Sequence, residues 1–449
     1  MTAKPIPFRR RVLAVGAAAL MACAGNARAL GLLQAYNAAL TSDPAYQSAI
    51  HEYEGGQQNK IIGRSQLLPQ ISASYSASKN RTDLTQQSAF GGESVTHPIY
   101  YSRSAVVQVR QPLLNLETLA RYRQSIAQTD LSSAVFDSRK QEMIVRLVSA
   151  YLDALLQSEQ VRLYEVQRDA YREQMKVNDR LFEKGEGTKT DMLETQSRLD
   201  LSEAQLLEAQ DMRRTSLATL STLVGAPVTV LDELAPEFRI APVGQDSYED
   251  WKEIALRNNP DIRAQQFAVE AARQDVNKNR AGHAPRVDFV GSYSKSTSDS
   301  ITTINQDSTV RAIGIQVSIP LYSGGYVSAL TRQSVAGQEK AKSDLQTNTD
   351  KVLVELQRQY SSLLSSTTRI RALDKAVASG QLLITATEQS IKGGVRINLD
   401  LLNARQQLFT SQRDLAQARY NYLLSLTKMR AAAGVLSVDD LREVATYFR

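Results

Sequence analysis

Two stretches of the chain alternate apolar and polar residues with a period of two. QISASYSAS sets Ile71, Ala73, Tyr75 and Ala77 on one side, and RVDFVGSYS does the same with Val287, Phe289 and Tyr293. That period marks a strand with two different faces. Each stretch runs into a polar loop and a returning strand, clearest in AIGIQVSIP with Ile313, Ile315, Val317 and Ile319. The first loop, 81–98, is the longer and holds Gly91-Gly92 and Pro98. Hairpins are therefore predicted at about 69–112 and 285–320, preceded by helices at about 44–67 and 260–283. After each hairpin come about 65 residues without proline. In MIVRLVSAYLDALL, Ile144, Val148, Tyr151 and Leu155 recur at three- to four-residue steps, an amphipathic helix. At 1.5 Å per residue such a helix would reach roughly 100 Å.

The pattern occurs twice, so the architecture is a repeat. Pro44 precedes Pro69 by 25 residues, as Pro260 precedes Pro285. VQVRQPL (107–113) matches IQVSIPL (315–321), and Tyr151 and Tyr360 each lie 40 residues before Asp191 and Asp400. Gly185 to Asp191 and Gly394 to Asp400 are both six apart, within KGEGTKTDMLETQSR (184–198) and KGGVRINLDLLNAR (392–405). The layout is a segment 1–29, a first repeat 30–225 with its turn at 184–191, and a proline-bearing linker 226–247. A second repeat 248–434 follows, with its turn at 392–400, and then a tail 435–449. The turns read first as helix punctuation. Lys184-Gly185 suits a left-handed helix end, Asp191-x-x-Glu194 an N-cap with a capping-box partner, and Asp400 or Asn398 a second cap.

Composition supports long helices, with only 22 glycines and 12 prolines in 449 residues. The start of the chain accounts for most of the net charge of +6. RRRVLAVGAAALMACAGNARA has a basic start, an apolar core and a small-x-small end, which reads as a secretory signal peptide cut after Ala29. It carries Lys4, Arg9, Arg10, Arg11 and Arg28, so cleavage leaves 48 basic against 47 acidic residues. The basic pI is then no argument for a nucleic-acid partner. Cys23, the only cysteine, is either an incidental residue of the signal or a lipoprotein cysteine in a loose lipobox. No segment beyond the signal has 18 uninterrupted apolar residues, so no transmembrane helix is expected. The protein is exported: periplasmic, secreted, or inserted as a β-barrel.

Four strands, apolar on one face and rich in serine, glycine and glutamine on the other, suit lipid on one side and water on the other. Four strands cannot close a barrel, and open edges are not tolerated in lipid. Several chains must then contribute, with the polar helices projecting into water. The chain is thus read as an α+β membrane protein and a conduit.

ARYNYLLSLTKMRAAAGVLSVDDL (418–441), the GxxxxxD turns and the duplicated layout resemble the TolC family of outer-membrane factors over nearly the whole mature chain. The resemblance implies a homotrimer in the Gram-negative outer membrane. Each protomer would give four strands to one barrel, continuous with a long periplasmic α-helical barrel. Partners would be outer-membrane lipid, a periplasmic adaptor protein, and an inner-membrane ABC transporter or proton-driven pump. The work would be type I protein secretion or, alternatively, drug efflux. In that family two aspartates three residues apart ring the closed periplasmic entrance, where they favour cations. Asp400 matches the first, and Asn403 stands at the second. Arg396 matches an arginine that reaches a first-half tip, with Thr190 and Asp191 as partners and Glu194 beside them. Ile391 replaces the tyrosine of a second link, which implies a looser lock. Gly185, Gly187, Gly393 and Gly394 would meet the adaptor.

No catalytic site, cofactor or metal is expected. His51, His97 and His283 are scattered, and no HExxH, GxxxxGK[ST] or GxSxG motif occurs. A periplasmic coiled-coil scaffold would explain the helices but not the alternating hairpins.

Overall fold

The computed structural model describes residues 29–87, 91–235, 237–240, 247–298 and 306–449. The predicted signal peptide with Cys23, part of the linker and the second hairpin loop lie outside them. The elements, in order, are α1 (Leu32–Ser42), α2 (Pro44–Ser65), β1 (Gln70–Arg81), β2 (Leu84–Gln87), β3 (Glu93–Thr96) and β4 (Ile99–Leu114). Next come the long helix α3 (Leu116–Glu183), α4 (Lys189–Val224), α5 (Tyr248–Asn258), α6 (Pro260–Arg280), β5 (Arg286–Ser298) and β6 (Gln306–Ser318). A second long helix, α7 (Tyr326–Lys392), α8 (Asn398–Ala432) and α9 (Val438–Ala445) complete the chain. Two compact units divide it: residues 50–137 with 260–351, and the remainder.

The unit of residues 50–137 and 260–351 carries the strands. Its main sheet is antiparallel in the order β1-β4-β5-β6. Both predicted hairpins are present, joined edge to edge by the β4–β5 pairing. The periodicity sorts the faces. Ile71, Tyr75, Ile313 and Ile315 lie on one side, with Ile313 82% and Ile315 67% exposed. The other side carries a serine ladder in which Ser78 and Ser102 share a hydrogen bond of 2.7 Å. Near the helix end, Arg110 binds the buried carboxylate of Asp288. The loop 81–98 departs from the expectation of a plain loop. Part of it folds on itself as a two-stranded sheet, β2 with β3, in register Leu84↔Thr96 to Gln87↔Glu93. Alongside the sheet, α2 lies close against α3. A Cβ at Gly56 or Gly63 would fall within 2 Å of Ser132 or Ser125.

The other unit is helical and contains the main apolar core. Tyr151, Met143, Ile144 and Leu147 of α3 are fully buried, as are Leu356 and Leu363 of α7 and Tyr422 of α8. Pro44 opens α2 because the first helical position needs no N–H, and the buried Asp43 carboxylate accepts from the Ala45 N–H at 3.1 Å. Arg146 of α3 pairs with the same carboxylate. The tail 435–449 contains a helix: Ser437 and Asp440 form a capping box, and Leu441, Val444 and Phe448 are buried. The linker meets both Leu30 and the C-terminal residue, since the Leu30 N–H donates to Val230 O and the Arg449 N–H to Glu233 O, each at 3.0 Å. The Tyr151 hydroxyl donates to Leu30 O at 2.9 Å, and burial pushes this phenol above the ordinary tyrosine range. Among the described residues, no helix is long and apolar enough to cross a membrane.

Candidate functional site

The two helical turns adopt one geometry. After α3, Gly185 takes φ 75°, and the N–H groups of Glu186 and Gly187 both donate to Leu181 O, at 2.9 and 3.1 Å. After α7, Gly394 takes φ 70°, and Val395 and Arg396 donate to Ser390 O, at 2.9 and 3.4 Å. A single left-handed residue closes each helix and satisfies its last carbonyls, the arrangement that favours glycine. Gly187 and Gly393 have no positive φ, so each reversal rests on one glycine rather than two.

The restarts differ, and both expected caps need correction. Thr188 is the N-cap of α4, not Asp191. Its hydroxyl accepts from the Asp191 N–H at 3.1 Å, while the Asp191 carboxylate accepts from the Thr188 N–H at 3.3 Å and hydroxyl at 2.6 Å. Asp191 is thus the reciprocal partner at the third helical position, the role expected for Glu194. In the second turn the N-cap is Ile397, which has no capping oxygen, so neither Asp400 nor Asn398 takes that role. The Asp400 N–H donates to Ile397 O at 3.1 Å, leaving its half-buried carboxylate uncommitted to a cap. Among the described residues, Arg396 and Thr190 are exposed and make no side-chain hydrogen bond within the chain.

The contacts between the two helix pairs run instead through Asn398 and Asn403 together with residues not singled out in the sequence. Asn178 of α3, 4% exposed, donates to Asp191 O at 3.2 Å and to the Thr195 hydroxyl at 2.7 Å. Thr195 is fully buried and donates to Asp191 O at 2.8 Å. Across from it, Asn398 of α8 donates to the same hydroxyl at 3.3 Å and accepts from Gln174 at 2.9 Å. An apolar rung of Tyr171, Leu199 and Leu402 follows, and Tyr171 and Gln167 then donate to the Gln406 carbonyl oxygen at 3.2 and 2.9 Å. Arg405 reaches Ala170 O and Glu388, each at 3.1 Å. Asn403 accepts from Arg198 of α4 at 3.3 Å, so its amide joins the two halves of the chain. Buried polar groups need partners, and most of these find one across the two helix pairs, Gln167 through its amide nitrogen only. The available signal was an asparagine or threonine at a position that helical periodicity assigns to the inside.

Residues 35–226 and 251–435 match the model of the outer membrane efflux protein family. The chain belongs to that family. It is 41% identical over 444 residues to the alkaline protease secretion protein AprF of Pseudomonas aeruginosa, covering 98% of this chain and 92% of that one. The proteases secretion protein PrtF of Dickeya chrysanthemi is 34% identical over 435 residues, covering 95% and 92%. The Campylobacter jejuni CmeC outer membrane channel has the same fold, with a TM-score of 0.78 at 16% identity over 93% of this chain and 90% of that structure. The protein is an outer-membrane transport protein of the TolC family. Among the described residues, no group of His, Cys, Asp and Glu is placed to hold a metal ion.

Proposed function

We propose that this protein is the outer-membrane channel-tunnel of a type I secretion system that exports a protein. The similarity to two protease secretion proteins across nearly the whole chain carries this reading. Three copies would assemble, because β1 and β6 are open edges and one sheet cannot close. Three four-stranded sheets give twelve strands, above the roughly eight that membrane barrels need. The apolar face would meet lipid, the serine face would line the lumen, and the helices would enclose a periplasmic tunnel. The shared turn geometry supports reading the chain as a duplication.

The turns would form the periplasmic entrance. Asp400, free of capping, would face its symmetry mates as a single carboxylate ring, since Asn403 is neutral and engaged with Arg198. Arg396, exposed and unpaired among the described residues, would reach Thr190 and Asp191 of an adjacent helix pair to hold the entrance shut, with Glu194 one turn behind. Gly185, Gly187, Gly393 and Gly394 would offer the close approach that an adaptor hairpin needs. The inner-membrane partner would be an ABC transporter.

The test is export by cells that lack their own channel but hold an ABC transporter, its adaptor and a protein substrate. The chain should restore release of that substrate and leave resistance to hydrophobic dyes unchanged. Restored dye resistance without protein release would instead establish the efflux reading.

A further inference from the structure

On one face of the main sheet the apolar positions near the helix end stop at a straight row of basic residues, beyond which the face is mixed, with Arg81, Ile99, Thr297 and Asp307. Lys79 on β1 stands opposite Tyr101 on β4, and Arg103 lies two residues from Tyr101 toward the helix end. Arg103 stands opposite Thr297 on β5, and Lys295 lies two residues on in the same direction. Lys295 stands opposite Thr309 on β6, and Arg311 again lies two residues on. Each of the four strands thus supplies one basic residue, stepped by one side-chain repeat. Helixward of this line the face is apolar or glycine in every strand, down to Ile71, Val109, Val287 and Val317.

The slant has a geometric meaning. Two residues span about 6.7 Å of strand while neighbouring strands lie about 4.8 Å apart, so the line slopes by about 55° to the hydrogen-bond direction. Strands in membrane barrels tilt by about 35–45°, which turns such a line nearly level. The sense of tilt required is the one that keeps all the apolar positions below it. A level row of cations directly above a lipid-facing band sits where hydrocarbon gives way to headgroups.

All four side chains are exposed, and among the described residues none makes an ion pair. Lys79 lies over the Tyr101 ring at 5.7 Å and Arg311 over the Tyr293 ring at 5.6 Å. Amphipathic tyrosines favour that same boundary, and long basic side chains reach from it toward the headgroups. Among the described residues, the only acid on this face is Asp307, on the loop side of the line. A row of one sign at a lipid border is electrostatically incomplete without fixed anions, and phosphate suits guanidinium and ammonium donors.

We propose that Lys79, Arg103, Lys295 and Arg311 form a lipid-border row that binds the phosphate groups of the outer-leaflet glycolipid. This rests on the reading that the apolar face meets lipid and the hairpin loops point outward.

Native mass spectrometry of the purified protein titrated with lipid A tests it. Bisphosphorylated lipid A should bind at least about tenfold more tightly than lipid A stripped of phosphate, because each basic residue near an anionic lipid surface contributes about fivefold. The combined variant Lys79→Gln, Arg103→Gln, Lys295→Gln and Arg311→Gln should lose that preference. Arg103→Gln with Lys295→Gln, on the two inner strands, should lose most of it and serves if the fourfold variant does not assemble. Equal binding of both lipids by the parent, an undiminished preference in the variants, or displacement by millimolar inorganic phosphate would overturn the proposal. Ile315→Cys separates it from the reading beneath. Modification of that cysteine by a water-soluble maleimide in intact cells defeats the lipid-facing sheet itself. A shielded cysteine with a negative lipid result defeats only the phosphate row.

Discussion

Arg396 stands two residues beyond the left-handed Gly394, exposed and without an ion pair in its own chain among the described residues. Asp191, its expected partner, spends its carboxylate on Thr188. A carboxylate accepts at several sites, so an arginine from another helix pair can be added to the capping box without breaking it. If that link holds the closed entrance, it contributes about 1.5–3 kcal/mol per protomer. Arg396→Ser should then raise single-channel conductance several-fold in planar bilayers, and an unchanged conductance would remove Arg396 from the lock. Arg396, Asp400 and Asn403 were singled out in the sequence by the family resemblance at the turn that Gly394 closes. Asn178 and Thr195 were not, and Asn398 was read only as a cap. A polar residue on a long helix reads as solvated until a second helix is seen to cover it.

At the scale of elements, the two restarts make a matched pair with opposite capping. Thr188 supplies an oxygen to the start of α4, whereas Ile397 leaves the start of α8 without one. A capping oxygen is worth about 0.5–2 kcal/mol. Thr188→Ala should lower the thermal midpoint of helix unfolding, followed by circular dichroism, and Ile397→Ser should raise it. A null effect of both would show that these ends are held by packing alone. The sequence identified Asp191 as a capping residue but misplaced it by three positions, because Asp suits both the cap and the third helical position. The hairpins were legible from period two alone. The β2–β3 sheet was not, since Leu84–Gln87 and Glu93–Thr96 are four residues each, too short to show a period. In α9, the Ser437-x-x-Asp440 signal was present but sat in what read as a tail.

Across the whole molecule, Tyr151 shows how distant segments depend on one another. Its hydroxyl holds Leu30 O, its ring meets the edge of Phe448 at 5.6 Å, and burial raises its pKa, as it does for Tyr420. An unfolded phenol ionises near pH 10, whereas these keep their protons to higher pH. Above about pH 10 the native state therefore binds more protons than the unfolded chain, and stability falls as pH rises; below that pH the contribution is intact. Tyr151→Phe should cost about 0.5–1.5 kcal/mol at pH 8 through the lost hydrogen bond. It should also lose less stability than the parent between about pH 8 and pH 11 in chemical denaturation. Equal losses would mean that Tyr151 ionises without unfolding. The sequence by itself determined which residues form the long strands and helices, where the helix pairs reverse, and that one strand face is apolar, because periodicity and glycine spacing act locally. Only the tertiary structure decided that two hairpins share one sheet, that Leu30 and Arg449 meet on one linker, and that the basic residues of four strands fall on one line. Those outcomes depend on register between segments tens to hundreds of residues apart, and no local pattern encodes register.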